Sequence, residues 1–557
     1  MRLLRSLLVA AAAIAVTAGP ASMATPKYFP DDPIWQDNDR LLDASKAGVV
    51  EDANGYDFVV NTFVQPGEHR DVRALNVNTV DEVPDSSWFE NRIGRRAMTV
   101  DEVVKGPDRV TAVSVDHWVV SAGKSSGVQP GFRMIDPSDK SNPSFPNGQL
   151  YQIEIDPESN PEMASGAEII GTAFYYAMGY HTVEVYLAEI DPATIVIAPE
   201  AKIFDPLIGE KRKLTKLDIT RVLEKAPVKA NGKIRVLVSK FATGKYLGNF
   251  RYYGTRPDDP NDIVAHEHRR ELRGARVFGA WLNHDDSRGV NSLDFVETAG
   301  GKGFVRHYMF DFGSILGSGT VFAQRHRAGN EYIFEQKPGW LTLATFGLYT
   351  RPWMHIAYPP QPSSIGRIEG DAFDAAKWRP EYPNSAFRNM RADDAFWAAR
   401  IVAKFTPDMV RGIVRKASYT DSRATDYLTD VLLKRQKKVL TTWLAGVNPL
   451  VDFVISPAGE LTFGNAAVDA GVATGATSYS VQYARLDNAT GTTTPLGPAL
   501  SSVQPRVRVP AEIAAGEFLE ARVSASHASF PSWQTPVIVH FQRTQGGWKL
   551  VGVARGQ

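Results

Sequence analysis

The stretch from His266 to Gly313 constrains this chain more than any other, because it dictates four structural elements in a fixed order. Leu272, Ala275, Phe278, Trp281 and Leu282 recur at helical spacing and predict a helix over 266–282. That helix runs directly into His284-Asp285-Asp286-Ser287-Arg288-Gly289-Val290-Asn291. Alternation through Leu293, Phe295 and Glu297 follows, then the turn Ala299-Gly300-Gly301-Lys302-Gly303, and a return through Phe304, Arg306 and Tyr308. This is the pattern of a hairpin closed by a glycine-rich turn. The hairpin delivers the chain to Asp311-Phe312-Gly313. Two acidic turns are thus held at the two ends of one hairpin.

Read as H-x-D-x-x-x-x-N followed by D-F-G, the segment resembles the catalytic and metal-binding loops of the protein-kinase-like superfamily. The resemblance implies an α+β, two-lobed protein-kinase-like fold and metal-dependent transfer of phosphate from a nucleotide. Such chemistry needs one carboxylate to orient the attacking hydroxyl, and an amide oxygen with a second carboxylate to hold the metal on the phosphates. Asp286 takes the first role; Asn291 and Asp311 are the metal pair for Mg2+ or Mn2+, with ATP or another nucleotide as donor. The competing reading of these acids and the asparagine is structural, as helix caps and turn residues.

Residues 110–250 fit the smaller, mainly β lobe. Strands are expected over 111–120, 132–135 and 150–155. The first two are joined by Gly123-Lys124-Ser125-Ser126-Gly127-Val128-Gln129-Pro130-Gly131. Gly123, Lys124, Ser125 and Gly127 are candidates for covering nucleotide phosphates with backbone N–H groups; an ordinary loop between strands is the alternative. A helix is expected over 161–178, with Pro161 in its first turn and Gly179 at its end. Glu168 lies mid-helix, where the resemblance places the glutamate that pairs with a strand lysine. The strand Tyr151-Gln152-Ile153-Glu154-Ile155-Asp156 has no lysine, and Glu154 stands in it instead. Lys124 is the substitute, since a long flexible ammonium can reach the same phosphate from a neighbouring strand. Without that substitution the chain is a pseudokinase-type, non-catalytic binding protein.

Residues 251–445 fit the larger, helical lobe. Gly254–Asp262 reads as a polar surface connector, Glu271 and Arg273 as a solvated or salt-bridged face, and Trp340, Trp353 and Trp378 as core. Three helices follow, one starting at Asp393-Asp394, one at Thr406-Pro407 with threonine as cap and proline in the first turn, and one at Thr420-Asp421. Past Gly446 the composition changes. No lysine occurs between Lys438 and Lys549, and six short strands are expected. Residues 446–557 therefore read as an all-β sandwich, resembling fibronectin type III or immunoglobulin-like modules.

The remaining signals bound the setting. Arg2 and Arg5, an apolar run from Leu7 to Val16 and the small residues Ser22-Met23-Ala24 read as a signal peptide over 1–24. The expected destination is periplasmic or extracellular, with no transmembrane segment in the mature chain, and residues 25–109 form an N-terminal extension. Cysteine is absent, which removes disulfides and thiolate chemistry, and 62 basic residues balance 62 acidic ones, which gives no sign of nucleic-acid binding. His266, His268 and His307 raise a metal hydrolase, but Arg270 stands where a zinc-protease helix needs its second histidine. An HD-type metal phosphohydrolase built on His284-Asp285 remains a remote alternative. The phosphate acceptor, whether protein, glycan or small molecule, stays open, as does the oligomeric state.

Overall fold

The computed structural model describes residues 26–51, 54–124 and 127–556. The expected signal peptide and Ser125 lie outside the described residues. The architecture is mixed α/β, about a quarter helix and a quarter strand, in several sheets.

The first sheet is built from β1 (Val119–Gly123), β2 (Gly131–Asp136), β3 (Gln149–Glu154), β4 (Val185–Ile190), β5 (Val196–Asp205), β6 (Glu210–Lys213) and β7 (Ile234–Lys240). Their order is β4-β7-β3-β2-β1-β5-β6, antiparallel except where β5 runs parallel to β1. The expected strand over 111–120 is mostly irregular and becomes β1 only at Val119. Strands β4, β5, β6 and β7 went unread. β5 alternates poorly and stays largely half-buried or exposed, so period-2 patterning has little to detect.

The expected helix is α1 (Met163–Met178), which starts two residues late. Glu162 stands at φ 67, and its carboxylate turns away to accept from the backbone and hydroxyl of Thr420. Asp156 accepts from the Ser165 backbone and hydroxyl near the helix start. Almost every residue of α1 is buried. Its small residues let neighbours approach: a Cβ on Gly171 would stand 2.4 Å from Phe312 Cβ. Through Ala167, Ile170 and Phe174, α1 shares one continuous core with Phe278, Trp281, Trp397, Phe405, Val410 and Leu428. The β-rich and helical parts are therefore welded along α1.

In the helical part, α2 (Arg270–Leu282) leads to a hairpin of β9 (Ser292–Ala299) and β10 (Lys302–Met309), with β8 (Lys245–Gly248) beside β9. Three helices close it: α3 (Ala392–Ala403), α4 (Pro407–Lys416) and α5 (Ser422–Val439). Thr406 caps α4 with Pro407 in its first turn, as expected. The N-cap of α3 is Arg391, whose backbone N–H donates to Asp394, while Asp393 and Asp394 also reach buried arginines. Arg270 bonds Asp81, Asp393 and Asp394, and Arg273 reaches Asp394. Of the two alternatives for Glu271 and Arg273, the salt-bridged one holds, and both are buried. The Gly254–Asp262 loop is likewise drawn inward, with Asp262 bonded to His266 and Arg269, and Arg256 to Asp294. Of the tryptophans, Trp378 is buried, Trp353 donates to Glu331 at 2.6 Å, and Trp340 is exposed.

Past residue 446 all six expected strands form, joined by Leu450–Ile455 and two short edge strands. They make a three-stranded and a six-stranded sheet that enclose one core through Phe463, Val481, Leu519 and Phe541. The described residues between 26 and 118 hold little regular structure and act as a strap. Tyr28 is hydrogen-bonded to His540 at 2.8 Å, while Asp81 reaches α2. Among the described residues no helix is long and apolar enough to cross a membrane.

Candidate active site

Lys124 leaves β1 just before the turn, and Glu154 ends β3. Between them lies the first residue of β2, since Gly131 pairs with Glu154 and Phe132 with Gly123. Gly131 is required there: a Cβ would stand 2.1 Å from the Ile153 carbonyl oxygen. Over this bare strand end the Lys124 ammonium meets Glu154 at 2.5 Å and donates to the Gln129 carbonyl at 3.0 Å. Both side chains are half-buried.

Glu168 faces the same space from α1. It is 4% exposed, and its Oε1 has no hydrogen-bond partner among the described residues. Burial first, then the charges of Asp311 and Glu154, push its carboxyl well up, against a smaller opposing effect of the Phe312 and Gly313 N–H groups. Burying a carboxylate oxygen without a partner in a low-dielectric setting disfavours the charged form.

Asp311 stands at φ 58, a left-handed conformation uncommon outside glycine and found at sites where the surroundings enforce it. A point one bond from the Gly313 Cα lies 3.6 Å from Asp311 Oδ1, 3.8 Å from Glu168 Oε2 and 4.0 Å from Gln129 Oε1. Asp311 and Glu168 are thus brought together. Solvent reaches Asp311, yet protein surrounds it, and this enclosure, followed by Glu154 and Asp286, pushes its carboxyl up to about 7. Lys124 and Arg288 pull in the opposite direction.

Asn291 closes the far end of the β9–β10 hairpin. Its backbone carbonyl accepts from Phe310 N–H at 3.2 Å, which sets it beside the residue preceding Asp311. Its Nδ2 donates to the Asp286 carbonyl at 2.7 Å, and among the described residues no donor takes its Oδ1. Asp286 is ion-paired with Arg288, which also meets Glu381 at 2.9 Å. Among the described residues no three His, Asp or Glu side chains meet as a preformed metal centre. The donor set is oxygen only, with one unpartnered buried carboxylate oxygen. It suits a hard cation that completes its shell with water and phosphate, as Mg2+ does.

His284 points into the core, hydrogen-bonded to the Tyr175 hydroxyl at 2.8 Å. Burial lowers its pKa to about 4. Tyr175 stacks on Phe312 at 4.5 Å and His284 meets Phe312 edge-on at 5.7 Å, so helix α1, the histidine turn and the D-F-G turn share one aromatic stack. Asp285 accepts from Gly329 N–H at 3.2 Å and faces Arg327. The His284-Asp285 pair is thus buried, with both side chains bonded into the surrounding fold.

Gly123 and Gly127 flank Lys124 on the turn. Three features escaped the sequence reading: the Gln129 carbonyl, the Arg288–Glu381 pair and Tyr175. The contact of Glu154 with Lys124 follows from strand register, which sets Glu154 beside Gly131. No protein-family model, curated protein or solved structure matches this chain.

Proposed function

We propose that this chain is a kinase-like, metal-dependent phosphotransferase acting from ATP or another nucleotide on an acceptor hydroxyl. The observation that carries the reading is the meeting of Lys124, Glu154, Glu168 and Asp311 at the end of one glycine-bearing hairpin. Cations and acids from the hairpin, from α1 and from the D-F-G turn share one space, as phosphate handling requires.

In this reading Asp286 orients the acceptor hydroxyl and takes its proton as the oxygen bonds the terminal phosphorus and the bond to the nucleotide's bridging oxygen breaks. Lys124 contacts phosphate, and Glu168 positions Lys124 or a second cation. Asn291 Oδ1 and Asp311 would hold Mg2+ or Mn2+, which when bound neutralises phosphate charge. Gly123, Gly127 and Ser125 would cover the phosphates. The amino-terminal segment is read as an export signal to the periplasm or beyond, and the carboxy-terminal sheets as a fibronectin type III or immunoglobulin-like module.

One observation favours the second reading, a non-catalytic binding protein. Lys124 is already neutralised by Glu154, and the surrounding carboxylates repel phosphate unless a cation offsets them. Thermal melts with nucleotides, with and without Mg2+ or Mn2+, separate the two, because a ligand specific for the folded state raises stability. Metal-dependent stabilisation by a nucleotide, followed by label transfer to protein or glycan, supports the enzyme. Stabilisation by no nucleotide supports the binding protein.

A further inference from the structure

A cavity of about 440 Å3, lined by none of Lys124, Glu168, Asp286 and Asp311, is bounded by Arg276, Arg379 and Arg388, by Tyr332 and Phe334, and by Glu335. Among the described residues none of the three guanidiniums is paired with a carboxylate. Arg276 donates only to the Ala376 carbonyl, and Arg379 only to those of Lys377 and Trp378. All three arginines face Tyr332 closely enough to pull its hydroxyl pKa down against a larger upward push from burial. Three guanidiniums against Glu335 leave two positive charges in excess. Guanidinium forks recognise phosphate and carboxylate oxygens in pairs.

Beside this cavity the surface is apolar. Phe334 lines it and contacts Phe63 at 5.1 Å, both largely exposed. The helix Gln336–Ala344, which begins at the cavity rim, has no buried residue. Trp340 is 69% exposed and Phe346 97%, with Leu343 and Leu348 also in solvent. Exposed apolar side chains clustered on one short helix and the residues just after it mark an interaction face. A cationic cavity adjoining exposed Trp, Phe and Leu is complementary to one surface in particular, an anionic bilayer with charged headgroups above an apolar layer.

We propose that this face docks on anionic membranes. The arginine cavity takes the phosphate of a phospholipid headgroup, while Trp340, Leu343, Phe346 and Leu348 enter the acyl boundary. The proposal is independent of the function assigned to the cleft.

Co-sedimentation of the full chain with vesicles tests it. Vesicles of phosphatidylcholine with one third phosphatidylglycerol should carry the protein down and release it at high salt, while phosphatidylcholine alone should not. Arg276→Gln with Arg379→Gln should weaken binding about tenfold or more, at roughly 1 kcal/mol per basic residue near the surface. Arg276 is half-buried, so a second variant guards against misfolding. Phe346 stands at φ 52 in open solvent, and Phe346→Asn keeps a residue that tolerates that backbone. Combined with Leu348→Ser, it should also abolish sedimentation at an unchanged melting temperature. Equal binding to phosphatidylcholine alone, or unchanged binding by either variant pair, overturns the proposal. So does stabilisation by inorganic phosphate or polyglutamate without vesicle binding, which would make the cavity a site for a free anion or an acidic protein.

Discussion

The ammonium of Lys124 lies 2.5 Å from Glu154 Oε1, across a strand end that glycine keeps bare. The residue that stands in the strand in place of a lysine is therefore the one that holds the displaced lysine. This ion pair orients Lys124 into the cleft and also competes with phosphate for it. Removing the lysine leaves Glu154 without its ion-pair partner and Asp311 without the larger of its two opposing positive charges, so Lys124→Ala should abolish the metal-dependent thermal shift given by nucleotide. Glu154→Gln frees the ammonium and should enlarge that shift. A Lys124→Ala protein that responds to nucleotide like the wild type would remove Lys124 from the site.

Asp311 gives the cleft a pH dependence. Folded, its carboxyl holds a proton up to about 7, whereas an unfolded aspartate releases it near about 3.9. The native state therefore binds more protons between those values. The contribution of Asp311 to stability is fully present below the unfolded value and is lost as pH rises through the folded one. Glu168 acts in the same direction. A hard cation competes with the same proton, so stabilisation by Mn2+ should grow between about pH 6 and 8. Melting curves across this range, with and without Mn2+, should show both trends, and Asp311→Asn should flatten both.

Local signals made the helix, the hairpin and the two acidic turns legible in the sequence. Apolar residues at helical spacing mark α2, and Gly300-Gly301 marks the turn between β9 and β10. What stayed hidden depends on partners far along the chain. The burial of Arg270 and Arg273 is not visible locally, because Asp81, Asp393 and Asp394, which permit it, lie more than a hundred residues away. Glu162 delays the start of α1 for a similar reason, since its carboxylate serves Thr420. The Trp340 segment failed in the opposite sense: its composition suits a core, yet the fold supplies nothing to cover it.

The buried arginines make a stability prediction. Arg270 and Asp394 are both fully buried, and Asp394 also bonds Arg273 and the Arg391 backbone. Breaking a buried pair leaves an uncompensated charge and costs about 3 to 5 kcal/mol. Asp394→Ala should lower the unfolding free energy by about that much in a denaturant titration. Since Asp81 joins the same cluster, protease cleavage within 66–82 should accelerate as well.

Gly171 tests whether α1 and the D-F-G turn act as one unit. In most helices Gly→Ala is stabilising by roughly 0.5 to 1 kcal/mol, because glycine loses more backbone freedom on folding. Here the added Cβ would stand 2.4 Å from Phe312 Cβ and 2.7 Å from Ile315 Cδ1. Phe312 cannot yield by side-chain rotation, because its Cβ is fixed to the backbone and its ring is held between Tyr175 and His284. The turn itself must move, at an overpacking cost of about 1 to 3 kcal/mol. Asp311 precedes Phe312, so the displacement should carry its carboxylate away from Glu168. Gly171→Ala should therefore lower the melting temperature and also remove the pH-dependent Mn2+ shift. A variant that is more stable than the wild type and keeps that shift would show that the helix and the turn are not mechanically coupled.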